Sequence, residues 1–92
     1  MLITVEYAAQ AKEAAGISSE KVQVPPFCSL QDIAAIACRG RSPRLRETLM
    51  GEGGMLYKST LVLVNDSQVF HDESPEIKEG DRVTFLPPVS GG

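Results

Sequence analysis

Few groups in this 92-residue chain are equipped for covalent or acid-base chemistry. Its thiols are Cys28 and Cys38, its only imidazole is His71, and its densest carboxylates are Asp72, Glu73, Glu76, Glu79 and Asp81. The two thiols stand ten positions apart, which is neither a C-x-x-C redox pair nor a zinc half-site, and a single histidine cannot complete a ligand set. Both cysteines therefore read as inert, semi-buried small apolar residues. His71 lies in a polar stretch and reads as solvated. The carboxylates suit a solvated face and a turn, or pairing with a basic partner surface, better than acid-base work. No Ser/His/Asp set or metal cluster is evident, and Gly51, Gly53 and Gly54 lack the Lys-Ser/Thr that completes a phosphate-binding loop.

What remains is the end of the chain, Leu86-Pro87-Pro88-Val89-Ser90-Gly91-Gly92. A closing Gly-Gly has no following residue to turn and raises the entropic cost of ordering that end. At about 7% glycine usage such a pair falls at a terminus by chance in roughly one chain in two hundred. The prolines stiffen the exit, and the residues after Leu86 extend the terminus by up to roughly 20 Å at about 3.3 Å each. Without a Cβ on the last two residues, the tail fits a channel too narrow for other side chains and delivers the carboxylate of Gly92 as its only distinctive group. A free carboxylate is a poor acyl donor. A partner must activate it, for example as an acyl-adenylate.

Composition narrows the context. Nine Lys and Arg against twelve Asp and Glu give a net charge of −3, the wrong sign for a surface that binds nucleic acid by releasing counterions. No apolar run approaches the roughly 20 residues of a membrane span. The opening Met1-Leu2-Ile3-Thr4-Val5-Glu6 lacks the charged and apolar regions of a secretory signal, and two thiols are no disulfide framework, so a reducing cytoplasm is expected.

The elements that must position the tail follow from periodicity. Ile3, Val5 and Tyr7 alternate with Leu2, Thr4 and Glu6, the pattern of a half-buried strand. Ala8 to Ala15 is rich in helix formers and stops at Gly16, predicting a short helical bridge to a second strand with Val22 and Val24 that ends at Pro25-Pro26. Ser29 and Asp32 form a capping box for the main helix, whose Leu30, Ile33, Ala34 and Ala37 make one apolar stripe. Gly40 closes it, and Ser42-Pro43 starts a second short helix with Leu45 and Leu49 facing the core. Gly51 to Gly54 reads as a flexible loop, and Thr60 to Val64 as a strand buried on both faces. Asn65-Asp66 turns the chain into an edge strand from Ser67 to Phe70, Pro75 to Asp81 is turn-rich, and Arg82 to Leu86 is the last strand, stopped by Pro87-Pro88. The expectation is an α+β fold: a mixed sheet of about five strands, the first and last parallel at its centre, with one main helix and short extra helices. Residues 1–86 form the domain and 87–92 a flexible tail.

With these residues in view, the whole chain resembles the small, sulfur-carrying subunit of molybdopterin synthase, a ubiquitin-like β-grasp family. The resemblance rests on Tyr7-Ala8 to Gly16, Val64-Asn65, Glu79-Gly80-Asp81 and, most specifically, Phe85 through Gly92. It implies a non-catalytic carrier that binds no cofactor itself. A ubiquitin-activating-like adenylyltransferase uses ATP to adenylate Gly92, and a sulfur donor protein converts that end to a thiocarboxylate. Leu86, Pro87, Pro88, Val89, Ser90 and Gly91 then carry it into the large synthase subunit, in a heterotetramer, to sulfurate a cyclic pyranopterin precursor. Related readings are a carrier for cysteine, thiamine or tungsten-cofactor biosynthesis, a ubiquitin-like protein modifier, or a plain β-grasp binding module. The glycines at 51–54 suit the cysteine-pathway carriers, Leu86-Pro87-Pro88 suits molybdopterin, and the length argues against the thiamine type.

Overall fold

The computed structural model describes residues 1–41, 43–70 and 73–88. Strand β1 (Leu2–Tyr7) alternates as its sequence requires, with Ile3, Val5 and Tyr7 buried and Leu2, Thr4 and Glu6 half-buried on the other face. The chain then turns through Ala9, at φ 54°, into the short helix α1 (Gln10–Ala15), which Gly16 ends in the left-handed conformation. Strand β2 (Ser19–Gln23) returns antiparallel to β1, in register from Leu2 opposite Gln23 to Glu6 opposite Ser19. It starts two residues before the Lys21-Val22 alternation, because Tyr7 N–H donates to the Ser18 carbonyl and extends the ladder.

Helix α2 (Leu30–Cys38) begins at the capping box, in which Ser29 Oγ accepts from Asp32 N–H and the Asp32 carboxylate accepts from Ser29 N–H. Its Ile33, Ala34, Ala37 and Cys38 are buried. Gly40, at φ 73°, turns the chain one residue beyond an extended Arg39 cap rather than closing the helix itself. Helix α3 (Pro43–Leu49) buries Leu45 and Leu49; Ser42, the expected start of this helix, lies outside the described residues.

Strands β3 (Leu61–Val64), β4 (Ser67–Val69) and β5 (Arg82–Leu86) complete a five-stranded sheet of order β2-β1-β5-β3-β4. Strand β5 lies parallel to β1 and antiparallel to β3, at the centre of the sheet as expected. Asn65 and Asp66 take positive φ of 50° and 72° in the tight turn between β3 and β4. The helices cover one sheet face, and Ile3, Val5, Val62, Val83 and Phe85 join Ile33, Leu45 and Leu49 in one core.

Two expectations need correction. Strand β3 is not buried on both faces: Val62 is buried, whereas Leu61 is 41% exposed, since no second layer covers the outer face. The glycines at 51–54 are not a loose loop but hold a 3₁₀ turn (Glu52–Gly54). Gln31, on α2, clamps it by donating to the Gly54 carbonyl and accepting from Leu56 N–H at 2.8 Å.

A polar network ties α1, β1 and β2 to the segment after α2. Tyr7 Oη donates to Glu20 at 2.6 Å, and Arg41 pairs with the same carboxylate at 2.6 Å while donating to the Ala15 carbonyl. Burial, with the adjoining carboxylate, pushes the Tyr7 phenol far above its ordinary range. Burial also works to raise Glu20, but the hydrogen bonds from Arg41 and Tyr7 outweigh it and hold the carboxyl below its usual value.

Candidate functional site

The candidate site is the place where β5 leaves the sheet. Leu86 is still paired opposite Leu61, and the Phe85 carbonyl beside it accepts from Ala8 N–H at 3.2 Å. Central strands are tied on both edges, so the last paired residue is fixed by two neighbours. Pro87 then removes a ladder donor and ends the strand. It is nevertheless buried, whereas Pro88 is exposed. Together the two prolines line a crevice of about 440 Å³ with Gln10 of α1, Arg44 and Thr48 of α3, and Tyr57 and Ser59 of the segment before β3. Since a proline φ is locked near −65° and the residue before a proline is held extended, the chain leaves the body as a short stiff rod. Val89, Ser90, Gly91 and Gly92 lie outside the described residues.

Next to the exit, the uncovered face of the sheet is apolar. Leu61 and Leu63 of β3 and Leu86 of β5 share this face by alternation, and Phe70, just past β4, is 59% exposed. Toward the opposite end the same face becomes polar: Arg82 pairs with Glu6 at 2.6 Å and with Asp66, and Thr84 Oγ1 donates to Glu6. Thus the uncovered surface is graded, greasy where the tail departs and charged where β5 begins.

Comparison with known proteins decides the family. The ThiS family matches residues 5–92. The chain belongs to the ThiS family. It is a ubiquitin-like sulfur carrier with the β-grasp fold. Among solved structures, SAMP1 from Haloferax volcanii superposes with a TM-score of 0.84 at 27% identity, covering 100% of both chains. The putative molybdopterin converting factor, subunit 1, from Pyrococcus furiosus superposes with a TM-score of 0.71 at 27% identity, covering 97% of this chain and 99% of that one. CysO from Mycobacterium tuberculosis, an antigen, superposes at 0.65 with 25% identity over 95% and 99% of the two chains. Comparison with curated proteins gave no match.

In this ThiS-family protein the described residues hold no group of three His, Cys, Asp or Glu able to bind a metal, and no helix long and apolar enough to cross a membrane. Cys28 and Cys38 are free thiols, both buried, and burial pushes each above its ordinary value, which keeps them protonated and poorly nucleophilic. His71 and Asp72 lie outside the described residues. Of the acidic stretch, Glu73 accepts from Phe70 N–H, Glu79 from Leu2 N–H, and Asp81 from Lys78 N–H and Asn65. Glu73 and Asp81 close local turns, whereas Glu79 ties its segment to the start of β1. Asp81 is held below its usual value by the Asn65 and Lys78 hydrogen bonds.

Sequence reasoning brought Leu86, Pro87 and Pro88 to the site but missed Gln10, Arg44, Thr48 and Tyr57, which come from segments far apart in the chain and meet only through the fold. Phe70 did carry a signal, an aromatic at the end of an edge strand otherwise polar at Ser67 and Gln68.

Proposed function

We propose that the protein is the sulfur carrier of molybdopterin synthesis, acting through the carboxyl end of Gly92. An adenylating partner joins that carboxylate to the AMP moiety of ATP and releases pyrophosphate. A donor protein hands over sulfur at the oxidation level of sulfide, which attacks the acyl carbon; AMP leaves and the end becomes a thiocarboxylate. Once docked in the large synthase subunit, the thiocarboxylate sulfur forms a C–S bond to the cyclic pyranopterin precursor as an oxygen substituent leaves, and water then cleaves the acyl C–S bond, leaving sulfur on the precursor and returning the end to a carboxylate. The carrier supplies no base. It supplies tethering, which raises the local concentration of an otherwise scarce nucleophile at the acceptor.

The observation that carries this reading is the central strand β5 ending at the buried Pro87 beside an uncovered apolar surface, in a sequence that closes on Gly-Gly. The Leu86-Pro87-Pro88 exit and the likeness to the Pyrococcus furiosus converting-factor subunit support the molybdopterin branch. The apolar strip of Leu61, Leu63, Phe70 and Leu86 is the docking face for the large subunit, entered together with the tail.

A second reading, conjugation to lysines of other proteins, is favoured by the likeness to SAMP1. Both outcomes start from the same adenylate, so the product separates them. Intact-mass analysis of protein from its own cells should find a gain of about 16 Da for oxygen-to-sulfur exchange, with the large synthase subunit co-purifying. High-mass conjugates without that gain would replace the carrier reading by the modifier one.

A further inference from the structure

Resting on the carrier reading, we infer that Arg39, Arg44 and Arg46 form a docking surface for an acidic face of the adenylating partner, on the helical side of the point where β5 ends. Residues 39–48 hold four of the chain's five arginines and a single carboxylate, Glu47. They carry +3 in a chain whose net charge is −3, so the remaining sequence carries −6. Arg41 serves the body, through Glu20 and the Ala15 carbonyl. Arg39, Arg44 and Arg46 are exposed. Among the described residues the ion pairs are Arg41 with Glu20 and Arg82 with Glu6 and Asp66, so these three arginines enter none, not even Arg44 with Glu47 three positions on. Arg39 caps α2, where a cation suits the helix dipole, but Arg44 stands in the first turn of α3, where a cation opposes it. The fold has no use for that charge.

The fold draws these charges out into one surface. Burial raises the Cys38 thiol and the charge of Arg46 works against it, which places Arg46 near the end of α2 that Arg39 caps. At the other end Arg44 lines the same crevice as Pro87 and Pro88. The cationic surface therefore runs from the end of α2 to the last residues of the strand exit. It lies with the helices, on the opposite side of the sheet from the apolar strip of Leu61, Leu63 and Leu86. The two sides suit two kinds of partner. Apolar faces hold long-lived assemblies such as a synthase complex. Charged faces speed encounter without adding much lasting affinity, which fits an enzyme that must capture and release each carrier in turn. Arginine's planar fork matches a carboxylate in two parallel hydrogen bonds, so the complementary surface is one dense in Asp and Glu.

The test compares the full chain with Arg44→Glu/Arg46→Glu, with the charge-keeping Arg44→Lys/Arg46→Lys, and with Lys21→Glu/Lys78→Glu, which changes the net charge equally but elsewhere on the body. Association with the adenylating enzyme of the same organism is followed by biolayer interferometry without ATP. The arginine reversal should slow it about tenfold at about 0.1 M salt and less than about threefold at about 1 M, as the Debye length shrinks from about 10 Å to about 3 Å. The other two variants should stay within about twofold of native. With ATP, pyrophosphate release should show the same loss in KM with kcat changed less than about twofold. Thermal melts of the arginine reversal should be no lower than native, because a carboxylate suits the first turn of α3. A lowered melt that tracks the slower association makes the arginines structural and overturns the inference. Equal slowing in the lysine reversal overturns it too, since net charge alone would then be at work, as does an equal loss of affinity for the large synthase subunit. Arginine-dependent binding of ATP to the carrier alone would assign the surface to phosphate instead, against the proposal. If the enzyme adenylates no carrier at all, the carrier reading fails, and the salt-sensitive, arginine-dependent association decides the docking surface by its presence or absence.

Discussion

Replacing Phe70 by serine should weaken docking to the large synthase subunit while leaving the domain folded. Phe70 is 59% exposed. Taking about 200 Å² for a phenylalanine side chain, roughly 120 Å² is left for a partner to cover. At about 25 cal/mol per Å², complete coverage contributes up to about 3 kcal/mol. Imperfect fit and side-chain ordering reduce the realised value to about 1.5–2 kcal/mol, a factor of roughly ten to thirty in Kd. The part of the ring already covered, roughly 80 Å², sets an upper bound of about 2 kcal/mol on the loss of stability. A domain of this length is expected to hold about 5–14 kcal/mol, so the variant remains folded at 25 °C. Isothermal titration of native and Phe70→Ser carrier into the large subunit measures the first number, and urea unfolding the second. Lys21→Ser, on the distant edge strand β2, serves as the control and should leave Kd unchanged. If a folded Phe70→Ser protein binds within twofold of native, the apolar strip is not the docking face.

Other consequences follow from the division between body and tail. Deleting Gly92 should abolish sulfur transfer and leave the melting temperature unchanged, as differential scanning calorimetry and a transfer assay together will show, since that residue bears no core side chain. Ile33→Asp should do the reverse at the level of the fold: Ile33 is 0% exposed within the core, so an unpaired charge there should remove cooperative unfolding in circular dichroism. Acid should destabilise the domain in part through Glu20. Its folded pKa is depressed below the ordinary 4.5, so its contribution is fully present above that value and is lost as the pH falls toward the folded one. Unfolding free energy measured between neutral pH and the acid limit should fall less steeply for Glu20→Gln, after allowance for that variant's weaker pairing with Arg41.

Much of the fold was legible because its signals are local. Alternation at Ile3, Val5 and Tyr7, the Ser29–Asp32 capping box and the Asn65-Asp66 turn each depend on a few adjacent residues, and each recurs in the structure. The errors arose where a distant residue decides. The glycines at 51–54 look loose until Gln31, about twenty residues earlier, is found clamping Gly54 and Leu56. The Thr60 to Val64 run looks doubly buried because apolar residues occupy both faces, yet nothing in the fold covers the outer face, where Leu61 is 41% exposed. The expectation placed on the end of the chain has a different origin: with no catalytic set evident elsewhere in the sequence, the terminal glycines were left as the one feature that the body does not require, and Val89 to Gly92 lie outside the described residues. The crevice that Pro87 and Pro88 line was not legible, since its other walls come from α1, α3 and the segment before β3.

The most direct trial is top-down mass spectrometry of carrier isolated from its own cells, with fragment ions that bracket Gly92. Fragmentation matters because methionine oxidation adds a similar mass, and the chain carries three methionines. Sulfur-for-oxygen exchange is expected at Gly92 alone and should vanish when the adenylating enzyme is deleted. A terminus that stays a plain carboxylate in cells actively making the cofactor would contradict the carrier reading.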